Sequence, residues 1–316
     1  MTPLHREGAL LAMKSLVRPW TGAEVRTLRR ARRMAIIEFA GHLGVSEGIV
    51  NKWERKGRDI TPRPVNQAAL DTSLSRLTAE ELARFLAGVP ADAIGDAPYL
   101  DELIQPDRIR HPIDGRSMTW IPSGPFLSGP MDENVWLPGY HIDTYPVTNT
   151  DYAAFVTATG HPAPRHWTAG QPPRDIADHP VVWVTHDDAA AYAHWAHKQL
   201  PTAQQWEKAA RGTDGAKWPW GSEITPAKCN CKVAGKQGAT TPVDRYKSSV
   251  SPYGVYDMCG NVWEWCATEW AGRFELKGAA FTSLLEDAAP AAFNDADRTM
   301  CDNDTGFRCV TTTLKP

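Results

Sequence analysis

The chain changes character partway along, and no single fold accommodates both parts. Up to about residue 88, apolar residues recur at helical spacing. Past Ile113, Gly, Pro, Asn and Asp interrupt the pattern every 8–12 residues, so strands must be short and loops long. Charge follows the same division. Residues 1–66 hold 13 Lys and Arg against 6 Asp and Glu, a net +7, while the remainder holds 21 against 31, a net −10. The overall −3 hides this split, which implies that one part meets an anion and the other does not. Aromatic surface is divided too, with eleven of thirteen tryptophans falling between Trp120 and Trp270. A length of 316 residues fits about two domains. The expected division is an N-terminal extension over 1–19, a helical domain over 20–88, a linker over 89–112 rich in Pro and Gly, and a body over 113–316. Hydrophobic content of 42% and charged content of 22% are those of a soluble globular protein. No apolar run approaches the ~20 residues of a membrane span. The start, MTPLHREGALLAMKSLVRP, lacks a secretory pattern, so a cytoplasmic location with reduced cysteines is expected.

In the basic block, Val25, Leu28 and Arg32 space as one helix, and Phe39, Ala40 and Leu43 as a second. Gly44 permits a sharp turn and Val45 packs behind it. Ser46 is the expected N-cap of a third helix with Ile49, Val50 and Trp53 as its apolar face. The spacing predicts a helix-turn-helix. Further on, Thr78 and Glu81 form a capping-box pattern before Leu82 and Phe85, which predicts a terminal helix that packs on the bundle or mediates a homodimer. Phe39-Ala40, Leu43-Gly44-Val45-Ser46, Val50, Trp53-Glu54 and Gly57 resemble the Cro/C1-type, or Xre-type, helix-turn-helix family. That resemblance implies duplex DNA as a partner of residues 20–66, with Ser46, Glu47, Gly48, Asn51 and Lys52 facing the groove. Asn51 suits adenine, and Lys52 suits guanine or a phosphate. Arg26, Arg29, Arg30, Arg32, Arg33, Arg55, Lys56 and Arg58 are expected on phosphates. Ile36 and Ile37 stand where the family usually has a polar residue.

The body predicts helices near Asn149–Thr159, about Asp187 to Lys198, and Ala203–Arg211. Its motifs include Pro146-Val147-Thr148-Asn149, Leu200-Pro201-Thr202, Trp206-Glu207-Lys208-Ala209-Ala210-Arg211-Gly212, Gly260-Asn261-Val262-Trp263-Glu264-Trp265 and Gly306-Phe307-Arg308. In order over about 113–312, these resemble the formylglycine-generating-enzyme, or sulfatase-modifying-factor, family. The implied fold class is therefore multidomain: an all-α helix-turn-helix bundle, then an α+β, C-type-lectin-like domain with little regular secondary structure.

Carried over residue by residue, the family's copper-binding cysteine pair falls on Ser283 and Ala288. Neither side chain can hold Cu(I), which needs soft thiolates, so no copper and no formylglycine synthesis by that route are expected. The family's iron-dependent sulfoxide synthases use a His-x3-His-x-Glu segment that this sequence lacks. His186, where the family commonly has a tryptophan, and His194 and His197 offer an alternative ligand set. The resemblance also implies Ca²⁺ in two loops. The first would use the side chains of Asn230 and Asp244 with the carbonyls of Cys231 and Tyr246. The second would use the side chains of Asp257 and Glu264 with the carbonyls of Gly260 and Val262. A family cysteine pairing is lost, because the partner position of Cys309 is Ala193. Cys229-x-Cys231 alone is a weak metal signal, and Cys301 and Cys309 are expected to be buried and inert.

The resulting expectation is a DNA-binding regulator whose body binds a small molecule or a protein. The alternatives are a metal-dependent oxygenase or sulfatase-modifying-type enzyme, and a lectin-like protein that displays a ligand surface near residues 266–305.

Overall fold

A computed structural model describes residues 17, 19–74, 76–89, 93, 108–232 and 238–312. Nearly all of the 1–19 extension and most of the 89–112 linker lie outside the described residues. The chain divides into two compact units, Met1–Pro106 and Asp107–Pro316. No described helix is long and apolar enough to cross a membrane.

Among the described residues, the first unit holds five α-helices: α1 Gly22–Ala31, α2 Ile36–Leu43, α3 Glu47–Lys56, α4 Pro64–Leu74 and α5 Ala79–Gly88. Helix α1 begins with a capping box between Thr21 and Glu24, and α5 with the one read at Thr78 and Glu81. Gly44 ends α2 at φ 70°, and three residues later α3 starts. Trp20, Val25, Leu28, Phe39, Val50, Trp53, Leu70 and Phe85 share one core. Gly22 allows α1 to cross α3 closely, since a β-carbon there would lie 1.8 Å from the carbonyl oxygen of Trp53. Ile49, expected on the apolar face of α3, is 38% exposed. The inward arc of α3 is instead Val50, Trp53 and Glu54. At 100° per residue, Ile49 turns away once Val50 and Trp53 are buried.

Among the described residues, the second unit has ten short strands in three sheets and three α-helices. A four-stranded antiparallel sheet orders β1 (Arg108–Arg110), β2 (Ser117–Ile121), β5 (Tyr140–Asp143) and β10 (Val310–Thr311), so the last strand returns to the first part of the unit. Strand β1 lies inside the stretch expected as linker, because pairing with β2 recruits it. A hairpin joins β3 (Gly124–Ser128) and β4 (Glu133–Leu137). The third sheet orders β8 (Asn294–Asp297), β7 (Arg273–Lys277), β6 (Trp263–Trp270) and β9 (Thr305–Gly306), with β9 parallel to β6. Helices α6 (Asn149–Thr159), α7 (His186–Trp195) and α8 (Ala203–Arg211) pack among these sheets. Helix α7 is shorter than the sequence predicts; its cap falls at Ala196, and His197 takes φ 55°.

Large aromatics and buried ion pairs substitute for long ladders. Trp206, Trp218 and Trp265 are fully buried. Lys198 Nζ bonds Asp114 at 2.6 Å and Asp143 at 2.8 Å, all three side chains being out of solvent. Arg308 binds Glu264 through two bonds of 2.6 and 2.7 Å. Such pairs hold a loop-rich backbone in one arrangement because each charge would be costly to leave alone.

Candidate functional site

In the helical unit, Ser46, Glu47, Gly48, Asn51, Lys52 and Arg55 are all exposed along α3. The helix is held from behind by Val50 and Trp53 and by Glu54, which accepts two bonds from Arg29 at 2.6 and 2.9 Å. Ser46 stands at the N-cap position, but its hydroxyl makes no cap bond. The first-turn amides of α3 therefore lack a side-chain acceptor, and a helix start of that kind attracts anions. Three arginines expected on phosphates have structural work instead. Arg29 is locked on Glu54, Arg26 bonds the Glu54 carbonyl, and Arg32 bonds Ser73. Helix α1 faces the core on that side, so its guanidiniums meet protein acceptors first. Arg30, Arg33, Arg55, Lys56 and Arg58 have exposed side chains.

The two loops expected to hold calcium differ. In the first, the Asn230 amide donates to the carbonyl of Ala239 at 2.8 Å and to Asn261 Oδ1 at 3.1 Å. Asp244 is exposed, and the Tyr246 carbonyl accepts the Ser249 amide at 2.9 Å. In the second, Asp257 is buried and accepts Asn261 Nδ2 at 2.6 Å. Burial pushes its carboxyl up to about 8, against the pull of Asn261 and Arg308. A carboxylate whose charge burial disfavours this strongly would be relieved by a hard cation. The carbonyl of Gly260 accepts the Val262 amide at 3.0 Å. Glu264 does not fit the expected role, because Arg308 spans both its oxygens and the Trp206 indole donates to one of them at 2.9 Å. A guanidinium thus stands where a metal would have to bind. The second loop fits calcium through Asp257 but not through Glu264.

The expected histidine set is not brought together. His186 is buried and stacks on Phe274 at 3.7 Å, whereas His194 and His197 are exposed. Among the described residues, the one group of three or more His, Cys, Asp or Glu side chains close enough to share a metal contains no histidine.

That group is Cys229, Cys231 and Cys259, whose sulfurs lie within 4.8 Å of one another. Cys229 and Cys231 are separated by 3.5 Å. S–H donation from Cys231 and Cys259 pulls the Cys229 thiol down, and the same sharing pushes the other two up. The cluster lies against the segment that carries Ser283 and Ala288. The Lys232 amide bonds the Ser283 carbonyl at 2.8 Å, and Cys259 Sγ lies 3.2 Å from the Ala288 carbonyl. Ala288 itself is buried, and Ser283 Oγ accepts the Ala280 amide at 3.2 Å. Sequence reasoning had Cys229-x-Cys231 as a weak signal and missed Cys259 altogether. Nothing in the spacing joins them; a bridge between Asn230 and Gly260 does.

Comparison with known proteins gives a consistent picture for the second unit. The description "Sulfatase-modifying factor enzyme 1-like domain" matches residues 105–313. A formylglycine-generating enzyme of Thermomonospora curvata is 34% identical, the match covering 54% of this chain and 77% of that protein. A hercynine oxygenase of Mycolicibacterium smegmatis is 30% identical over 54% of this chain and half of its own. The structure of PvdO from Pseudomonas aeruginosa superposes with a TM-score of 0.56 at 22% identity, covering 65% of this chain and 98% of that one. At that identity the likeness shows the fold alone.

Proposed function

This chain belongs to the sulfatase-modifying factor enzyme 1-like family, and on that premise we propose that it is a DNA-binding regulator whose family domain binds a ligand rather than making formylglycine. The helical unit is read as an Xre-type helix-turn-helix, with α3 entering the major groove of duplex DNA. One observation carries this reading: Ser46, Glu47, Gly48, Asn51, Lys52 and Arg55 share an exposed face of a helix whose opposite side is fixed by Trp53 and the Arg29–Glu54 pair. Asn51 and Lys52 are the base-reading candidates, while Arg55, Lys56 and Arg58 supply phosphate contacts. Two copies on a two-fold-symmetric operator would place two such helices one DNA turn apart.

The body's role as a binding module rests on Ser283 and Ala288, which offer no thiolate pair for copper. Its segment 266–305 exposes Trp270 at 81% and Phe293 at 58%, large apolar side chains of the kind that anchor a protein or small-molecule ligand. Calcium in the second loop would neutralise Asp257 and stiffen the turn that leads into β6. A second reading, an oxygenase-type enzyme, is favoured by the likeness to the hercynine oxygenase. It has to find ligands other than His186, His194 and His197.

Sequencing of genomic fragments retained by the full-length protein tests the first reading. Recovery of a shared short motif, lost when Asn51 and Lys52 are both replaced by Ala, is the expected result. Fragments without a common motif, retained equally by that variant, would rule it out.

A further inference from the structure

We propose that Cys229, Cys231 and Cys259 form a metal site that takes one thiophilic d10 cation, Cu(I) or Zn(II), through three thiolates. These residues are distinct from the Ser283 and Ala288 positions, and the inference does not depend on DNA binding.

The argument begins with distance. A metal–sulfur bond of about 2.3 Å places three thiolates around one ion about 4 Å apart. The three sulfurs here lie within 4.8 Å of one another, and Cys229 and Cys231 are 3.5 Å apart. One ion therefore fits with shifts of a few tenths of an ångström. That separation is well beyond the ~2.05 Å of a disulfide, and all three cysteines are free.

The backbone holds the sulfurs in place before any ion arrives. The Asn261 amide bonds the Asn230 carbonyl at 2.8 Å, and the Gly260 amide bonds the Gly278 carbonyl at 2.8 Å. Gly260 has φ 77°, and a β-carbon there would sit 2.6 Å from the Asn230 carbonyl oxygen and 3.0 Å from Cys231 Sγ. A glycine is thus required for the two cysteine-bearing loops to close on each other.

Charge and access agree with a cation. The Cys229 sulfur and the Glu286 carboxylate both bring negative charge to Cys231. Trp218, Ala279, Leu285 and Ala288 pack around Cys229 and Cys259 and exclude water from the sulfur pair. Cys231 is half-buried and gives the ion a way in. The soft, all-sulfur set disfavours calcium and magnesium and selects a thiophilic ion. The remaining S–H protons leave to solvent as the ion binds, and no electron is transferred.

The test uses full-length protein purified under reducing, anaerobic conditions and stripped of metal. Zn(II) and Cu(I) are titrated in separate experiments against chromophoric chelators, and Co(II) serves as an optical probe. The expected result is one equivalent of Zn(II) or Cu(I) bound, with a sulfur-to-metal charge-transfer band for Co(II). Preference for either d10 ion supports the site and identifies its occupant. Cys259→Ser and, as the less buried variant, Cys231→Ser should each weaken binding about a hundredfold, while Cys301→Ser leaves it unchanged. A thermal melt of each variant separates lost binding from lost folding. Three results would overturn the proposal: no ion held, affinity unchanged in a folded Cys231→Ser variant, or a disulfide linking two of the three cysteines in the reduced preparation.

Discussion

Cys259 Sγ rests 3.2 Å from the carbonyl oxygen of Ala288, so the three-cysteine cluster touches the segment on which copper-dependent relatives are expected to carry their own cysteine pair. Positions 283 and 288 carry no thiol in this chain, and the three cysteines lie on the neighbouring loops. Formylglycine synthesis should therefore be absent. Full-length protein given Cu(I), oxygen and a cysteine-containing sulfatase peptide should yield no aldehyde by mass spectrometry, and Ser283→Ala should leave that outcome unchanged.

Asp257 links the body's stability to pH. Burial raises its carboxyl from 3.8 to about 8, so the folded state holds a proton that the unfolded chain has already released. Between those values stability falls as pH rises, by up to about 1.4 kcal/mol per pH unit from this group. Calorimetric melts over pH 5 to 8 should show the decline, and Asp257→Asn should flatten it. Calcium should oppose the decline most at the alkaline end, where the carboxylate is charged.

Lys198 is enclosed by Asp114 and Asp143 without contact to water. Lys198→Met removes the cation that the two carboxylates share, leaving Asp143 to Arg116 at 3.3 Å and Asp114 to the His111 ring at 3.2 Å. A loss of about 3–5 kcal/mol is expected in urea denaturation of the body. Arg273→Met, which breaks the exposed pair with Asp295, should cost under about 1 kcal/mol.

In the helical unit, Gly22→Ala drives a methyl group into the Trp53 carbonyl. The helices α1 and α3 must separate, and a destabilisation above about 3 kcal/mol is expected for that unit's unfolding transition. Gly48→Ala, where a β-carbon meets open space, should instead stabilise α3 by up to about 1 kcal/mol.

Local signals in the sequence located local structure well. The bounds of α6 and α8, the turn at Gly44 and the cap at Thr78 all follow from residues within a few positions of one another. Functional roles that depend on distant partners were less legible. Nothing near Arg29 reveals that Glu54 takes its guanidinium, and nothing near Glu264 reveals Arg308. Cys259 follows Cys231 by 28 residues, and only the Asn230–Gly260 bridge makes them neighbours. The three histidines failed for the same reason in reverse. His186 opens α7 with its ring under Phe274, His194 lies two turns on with an exposed ring, and His197 lies beyond the cap, so closeness in sequence does not bring the three rings together.

The central claim is that α3 reads DNA while the family domain serves as a binding module. Fluorescence anisotropy of full-length protein on a labelled duplex carrying the selected motif, repeated across salt concentrations, tests it most directly. Affinity should fall steeply with salt. Lys52→Ala should reduce the logarithmic slope by about 1 if Lys52 meets a phosphate, and Asn51→Ala should cost about 1–3 kcal/mol at the motif while sparing unrelated duplexes. Absence of binding even at low salt, or binding indifferent to both substitutions, would contradict the account.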